Sequence, residues 1–350
     1  MKFSAVILTG GPIRPEKTIT ALHSLNKQFH VEVEKILVSN GRSDSEISEF
    51  YAAGALNADW KVIRFPVNTY IRRDEGSVWR FPGMASLAVA TGDFIFFQSD
   101  DDFLAPDFFS RMNSLFLLYP EGLTAIGLPV SWIYQTGLAS MPPSGAWEGR
   151  PIIEPGRDLL RKHFKDSTYT YNPGFSFVCR MELIRKAADT VFESGAPDFT
   201  TMIQIATQGP TLFDRHAHMY WGRHPEQDHF EWDRHNIWTG HYAETYNKMA
   251  LFSNRALEKF LPNSRCEQRM VKNYCKRHVA ESSARALLYY LKFQLQLISK
   301  VYKMQNGDKK KEFSFMRHLL NICRAPGYSA VISLKSLLEF LKSRIAQNHK

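Results

Sequence analysis

Cysteine is scarce in this 350-residue chain: Cys179, Cys266, Cys275 and Cys323 form no CxxC pair and no framework spacing. That usage suits a reducing compartment rather than a disulfide-stapled secreted scaffold. No uninterrupted apolar run reaches the roughly 20 residues that a membrane span requires. The strongest candidate, ARALLYYLKFQLQLISKVY, is interrupted by Lys292. The apolar run in MKFSAVILTGGP is too short for a signal peptide and reads as a first strand. His216, His218, His229, His235 and His241 sit close in sequence, yet HExxH and paired Cys/His spacings are missing, so zinc is not indicated. Repeats, low complexity and the composition of disorder are missing too. What remains is 44% hydrophobic and 13% aromatic, enough for one large domain plus an appendage.

Charge is present but unevenly spread. Residues 241–350 carry 21 Lys and Arg against 7 Asp and Glu, a net of +14, leaving 23 against 28, or −5, for residues 1–240. A basic appendage facing an anionic partner is expected, with nucleic acid and the membrane surface as the candidates.

The first half alternates strand-like and helix-like segments. FSAVIL, KILVSNG, KVIRF and DFIFFQ read as strands. The stretches from Pro15, from Ser45 to Ala53, from Pro82 to Ala90 and from Pro106 read as helices. Such alternation predicts a mostly parallel sheet covered by helices. Ligands bind such sheets beyond the carboxyl ends of the strands. TGGP, SNGRSD and SDDD all follow strands, so all three loops should meet on one edge. Residues 129–166, rich in Pro, Gly and Trp, are expected to form an irregular excursion. GFSFVCR then reads as a strand, MELIRKAADTVF and DFTTMIQIATQG as helices, and AHMYWG as a strand, before an entirely helical segment from His241.

Asp100, Asp101 and Asp102 end the fourth strand-like run. Three adjacent carboxylates repel one another, so either something positive meets them or they lie on a solvated loop that caps the next helix. Mg²⁺ and Mn²⁺ prefer carboxylate oxygen and bridge it to phosphates. A nucleotide-diphosphate ligand with its cation would explain the triplet.

VATGDFIFFQSDDDFLAPDFF resembles the strand and acidic DxD segment of family 2 glycosyltransferases. AVILTGGPIRPEKTITALHSL and EKILVSNGRSDSE resemble that family's first and second strands with their loops, and matches continue in order to about residue 225. The resemblance implies a GT-A fold over residues 1–240 and a nucleotide-sugar donor, UDP-, dTDP- or GDP-linked. Residues 241–350 would form a basic amphipathic helical region. By position, Thr9 and Gly10 would lie beside the base or ribose, Asn40 and Asp44 in the base-recognition turn, and Asp100 near the ribose, with Asp101 beside it. Asp102 would hold the metal. Asn40 stands where an acidic residue is common, and Ser99 where the first Asp of DxD is common. Gly83 and Met84 replace an Arg-Asn pair, a loss for which Arg80 could substitute. GAPDFTTMIQIATQG resembles the acceptor segment, and Asp198 matches its general base; a helix cap is the plain alternative. DRHAHMYWGRHPEQ resembles the element that closes the site, and places His224 on the metal or the diphosphate; an ordinary surface histidine is the alternative.

The expected activity is metal-dependent, inverting transfer of a sugar to a saccharide or lipid-linked acceptor in glycan synthesis, at the cytoplasmic face of a membrane. Two other readings stay open. A nucleotidyltransferase would use similar loops, although TGGP lacks the longer basic glycine-rich signature. A nucleic-acid-binding protein would use the C-terminal helices, although its N-terminal carboxylates would repel that ligand.

Overall fold

The computed structural model describes residues 1–10, 14–69, 80–119, 122–127, 130–134, 137–140, 152–165, 177–193, 197–214, 219–223, 241–261, 263–277 and 279–280. Its first part alternates β1 (Phe3–Thr9), α1 (Pro15–Asn26), β2 (Val33–Asn40), α2 (Asp44–Ala52), β3 (Trp60–Phe65), α3 (Arg80–Val89) and β4 (Phe94–Ser99). Then come β5 (Phe103–Leu104), α4 (Phe108–Leu118), β6 (Ala125–Gly127), β7 (Val130–Tyr134), β8 (Gly137–Ser140), β9 (Ile152–Glu154) and α5 (Gly156–Lys165). The remainder is β10 (Phe177–Arg180), α6 (Met181–Glu193), α7 (Pro197–Gln208), β11 (Thr211–Phe213), β12 (Met219–Arg223) and a helix over His241–Phe260.

Eight strands form one sheet in the order β3-β2-β1-β4-β10-β6-β11-β9. β1 to β4 are parallel, as the alternation predicts. β10 runs against both β4 and β6, and β9 against β11. Strand period two divides the core in two. Val6, Leu8, Ile36, Val38, Ile95 and Phe97 join the side that holds buried residues of α3, α6 and α7. Phe3, Ala5, Ile7, Leu37, Phe94 and Phe96 join the side that holds those of α1, α2 and α4. On that second side Phe3 stacks on Phe94 at 5.3 Å, and Phe94 lies 4.0 Å from Phe116, which fastens α4 to the sheet.

The described residues within 129–166 are more regular than the sequence suggests. β7 and β8 pair with each other, and β7 pairs with β12 in a small sheet of order β5-β12-β7-β8. Strands this short take their stability from partners far along the chain, so local periodicity carries little of it. Among the described side chains of α5, Leu159, Leu160 and Phe164 form a buried apolar stripe. Gly83 on α3 lies so close to Phe192 that a Cβ would come within 2.2 Å of its ring. A small residue at that position is thus a packing requirement between α3 and α6.

Two compact units divide the chain. One holds Met1–Arg234 with Ala243–Lys276, and the other holds His235–Tyr242 with Arg277–Lys350. Ala256, Leu257, Val271 and Cys275 belong to the core of the first. Within it, Glu267 receives Arg161 at 3.1 Å, pinning the helical stretch 265–277 to α5. No helix among the described residues is long and apolar enough to cross a membrane.

Candidate active site

The carboxyl ends of β1, β2, β3 and β4 meet as parallel pairing requires. Register pairs Thr9 with Ser39 and Asn40 with Phe65, while Leu8 pairs with Ser99. Thr9 is buried and donates to the Val38 carbonyl at 3.3 Å. The loop after β2 turns at Gly41, whose φ of +77° suits glycine, and a Cβ there would come within 2.5 Å of the Asn68 backbone.

Asn40 is buried and knits three loops together. Its Oδ1 accepts from the Thr69 backbone N–H at 3.0 Å and from the Thr69 hydroxyl at 3.1 Å. Its Nδ2 donates to Asn68 Oδ1 at 3.3 Å, and Asn68 Nδ2 donates to the Gly10 carbonyl at 2.6 Å. A backbone donor at one end and a backbone acceptor at the other fix both amide orientations.

The triplet meets two arginines that the sequence reading did not single out. Arg42, from the β2 loop, donates to Asp100 at 3.1 Å and to Glu46 at 3.2 Å, with a side chain only 4% exposed. Arg14, from the β1 loop, donates to Asp101 at 2.9 Å. Glu46 meanwhile closes a capping box with Ser43 at the start of α2, which anchors it against Arg42. Burial and the like charge of Asp101 push the Asp100 carboxyl up to about 6, against the pull of Arg42 and Arg14. Asp102 is 6% exposed, and Gln98 Nε2 donates to its backbone carbonyl at 2.6 Å. The signal for both arginines was available: three carboxylates need positive company, and GGPIRPE and SNGRSD each bring one arginine to the same edge.

Other expected site residues are placed differently. Asp44 opens α2 with a side chain 87% exposed and pairs with Arg64 at 2.6 Å. Arg80 opens α3, exposed, with its guanidinium 5.9 Å from the Phe81 ring centroid. Asp198 is the second residue of α7; its side chain and all of His224 lie outside the described residues, as does the lysine run 309–311. Asp214, just beyond β11, is fully buried and gripped by both arms of Arg111 from α4. That pairing assigns it to structure.

Among the described residues no group of three or more His, Cys, Asp and Glu side chains could hold a metal ion by itself. Mg²⁺ and Mn²⁺ commonly use one or two carboxylates and complete their shell with phosphate oxygens and water. The hard oxygens of the triplet therefore fit a cation that arrives with a diphosphate.

This mostly parallel sheet, with acidic residues closing β4 against the β1 and β2 loops, has a GT-A fold, and the likeness read from the sequence is matched at the level of the fold. Among solved structures, S. aureus TarS 1-349 in complex with UDP is similar, with a TM-score of 0.54 and 16% identity over 79% of this chain and 72% of that one. The same protein in complex with UDP-GlcNAc gives a TM-score of 0.49 and 17% identity over 82% and 83%. No family model and no curated protein matches the chain.

Proposed function

We propose that this chain is a glycosyltransferase that moves a sugar, with inversion, from a nucleoside-diphosphate donor to a saccharide or lipid-linked acceptor. The observation that carries the reading is the joining of Asp100 and Asp101 to the β2 and β1 loops at one sheet edge. The fold adds support, since TarS shares it and binds UDP. The donor is accordingly a UDP-sugar in the first instance.

Thr9, Gly10 and the Asn40 network would line the base and ribose end of the donor, and Asp100–Asp102 its diphosphate end. Asp102, joined by His224, would hold Mn²⁺ or Mg²⁺. Such an ion supplies Lewis-acid neutralisation of charge on the departing diphosphate. Asp198 would take the proton from the acceptor hydroxyl as that oxygen bonds to the anomeric carbon and the bond to the diphosphate breaks. One displacement inverts the centre. The basic C-terminal region would hold the enzyme on the inner face of an anionic membrane, beside a lipid-linked acceptor.

The test is thermal stabilisation by UDP-, dTDP- and GDP-sugars, each with Mn²⁺ or EDTA, followed by a transfer assay. A bound donor at 100 times its Kd stabilises by about 2.7 kcal/mol. One donor should raise Tm with Mn²⁺ and lose that effect in EDTA or in Asp102→Ala. No shift with any nucleotide sugar, or transfer undiminished in EDTA, would refute the reading.

A further inference from the structure

Arg42 is oddly committed for a residue at the mouth of a nucleotide site. Its guanidinium is buried, pinned by Glu46 on one side and Asp100 on the other, and its Nε is a buried donor with no hydrogen-bond partner. Ser39 Oγ and Gln98 Oε1, near the ends of β2 and β4, the two strands that flank β1, are likewise buried and without partners among the described residues. Three unmet polar atoms at one sheet edge are costly to leave dry, and such groups point to a polar ligand that completes them. Arg42 also neutralises the carboxylate that a cation would otherwise attract.

We propose, resting on the nucleoside-diphosphate reading above, that Arg42 is an exchangeable internal counter-cation. Without donor it occupies Asp100. When donor and divalent ion enter together, Asp100 turns to the ribose or the ion, and Arg42 turns to a donor phosphate. Neither ligand alone supplies both new partners, because an isolated cation leaves Arg42 buried without its carboxylate and an isolated diphosphate leaves Asp100 without its guanidinium. The two ligands therefore bind with positive coupling, each raising the affinity for the other by the same factor. Arg42 is a positioning residue in this scheme, and Arg14 forms a parallel clamp on Asp101.

Calorimetry on the full chain, with Mn²⁺ alone, UDP alone and both together, separates the outcomes. In Arg42→Met, Mn²⁺ alone should bind about tenfold more tightly, the order of effect expected from removing one positive charge a few ångströms away in a partly screened site. UDP in the presence of Mn²⁺ should bind more weakly. In Asp100→Asn, UDP alone in EDTA should bind more tightly, since the guanidinium is released, and the coupling should shrink. Asp100→Asn is nearly isosteric, so it keeps the test open should Arg42→Met fail to fold. Mn²⁺ affinity unchanged by a folded Arg42→Met, or metal-free UDP affinity unchanged by Asp100→Asn, overturns the exchange. Failure of every form to bind UDP would instead refute the nucleotide reading, while the Mn²⁺ arm would still report on the Arg42–Asp100 lock. No Mn²⁺ binding in either wild type or Arg42→Met would overturn the proposal as well.

Discussion

Replacing Asn40 by Asp turns one donor into an acceptor inside a relay whose two ends are backbone groups. The new carboxyl keeps both bonds from Thr69 but loses the donation to Asn68 Oδ1. Asn68 cannot rescue it by turning over, because its Nδ2 is held by the Gly10 carbonyl and a flip would set two oxygens 2.6 Å apart. The lost bond costs about 1 kcal/mol, and two facing buried acceptors cost about 1–3 kcal/mol more. The expected deficit near neutral pH is thus about 2–4 kcal/mol. Protonation changes the outcome, since a neutral carboxyl can donate to Asn68 and restore the relay. Burial and the facing oxygen raise the pKa of the introduced group above its unfolded value of about 3.9. A group raised in the folded state contributes stability that is fully present below the unfolded value and is lost as pH rises through the folded one. Urea unfolding of wild type and Asn40→Asp at pH 4.5 and 7.5 measures this, and titrating groups common to both proteins cancel in the difference. The deficit should be small at pH 4.5 and large at pH 7.5. A deficit equal at the two pH values, or one below about 1 kcal/mol at both, would refute the relay.

Three other expectations follow from particular residues. Asp198→Asn keeps shape and capping capacity but removes basicity, so kcat should fall by about two to four orders of magnitude with donor affinity little changed; near-normal turnover would move the base elsewhere. Burial raises the Glu34 carboxyl, but hydrogen bonds from Lys61, Ser4 and Thr91 outweigh that and hold it at about 2. Its pKa is depressed on folding, so its contribution is present above about 4.5 and lost as pH falls towards about 2. Because Lys61 is half exposed and screened by water, Glu34→Gln should cost only about 1–2 kcal/mol at pH 7, with the gap narrowing at pH 3; a gap unchanged with pH would contradict the assignment. Finally, co-sedimentation of the full chain with liposomes should rise with anionic lipid and fall with salt, at about 1 kcal/mol per basic residue near the surface; equal recovery with neutral vesicles would assign the C-terminal charge to another partner.

The alternation of FSAVIL, KILVSNG, KVIRF and DFIFFQ with helical stretches was enough to determine the parallel half of the sheet. Each strand and helix there announces itself through its own side-chain period, and parallel connection forces the loops after β1, β2 and β4 to one edge. The acidic triplet could therefore be placed at that edge from sequence alone. Which groups answer it could not. Arg42 and Asp100 are 58 residues apart, Arg14 and Asp101 are 87, and Asn40 and Asn68 are 28. Local periodicity holds no information about such distances. Strand register and the packing of α1 and α2 decide which of many charged loop residues come within hydrogen-bond reach of the carboxylates. The same holds for Asp214, which Arg111, 103 residues away, ties into the structure. β7 and β8 also became strands only through pairing with each other and with β12. Local pattern specifies an element when its own buried face is sufficient to stabilise it, and tertiary structure decides wherever stability or charge balance comes from a distant partner.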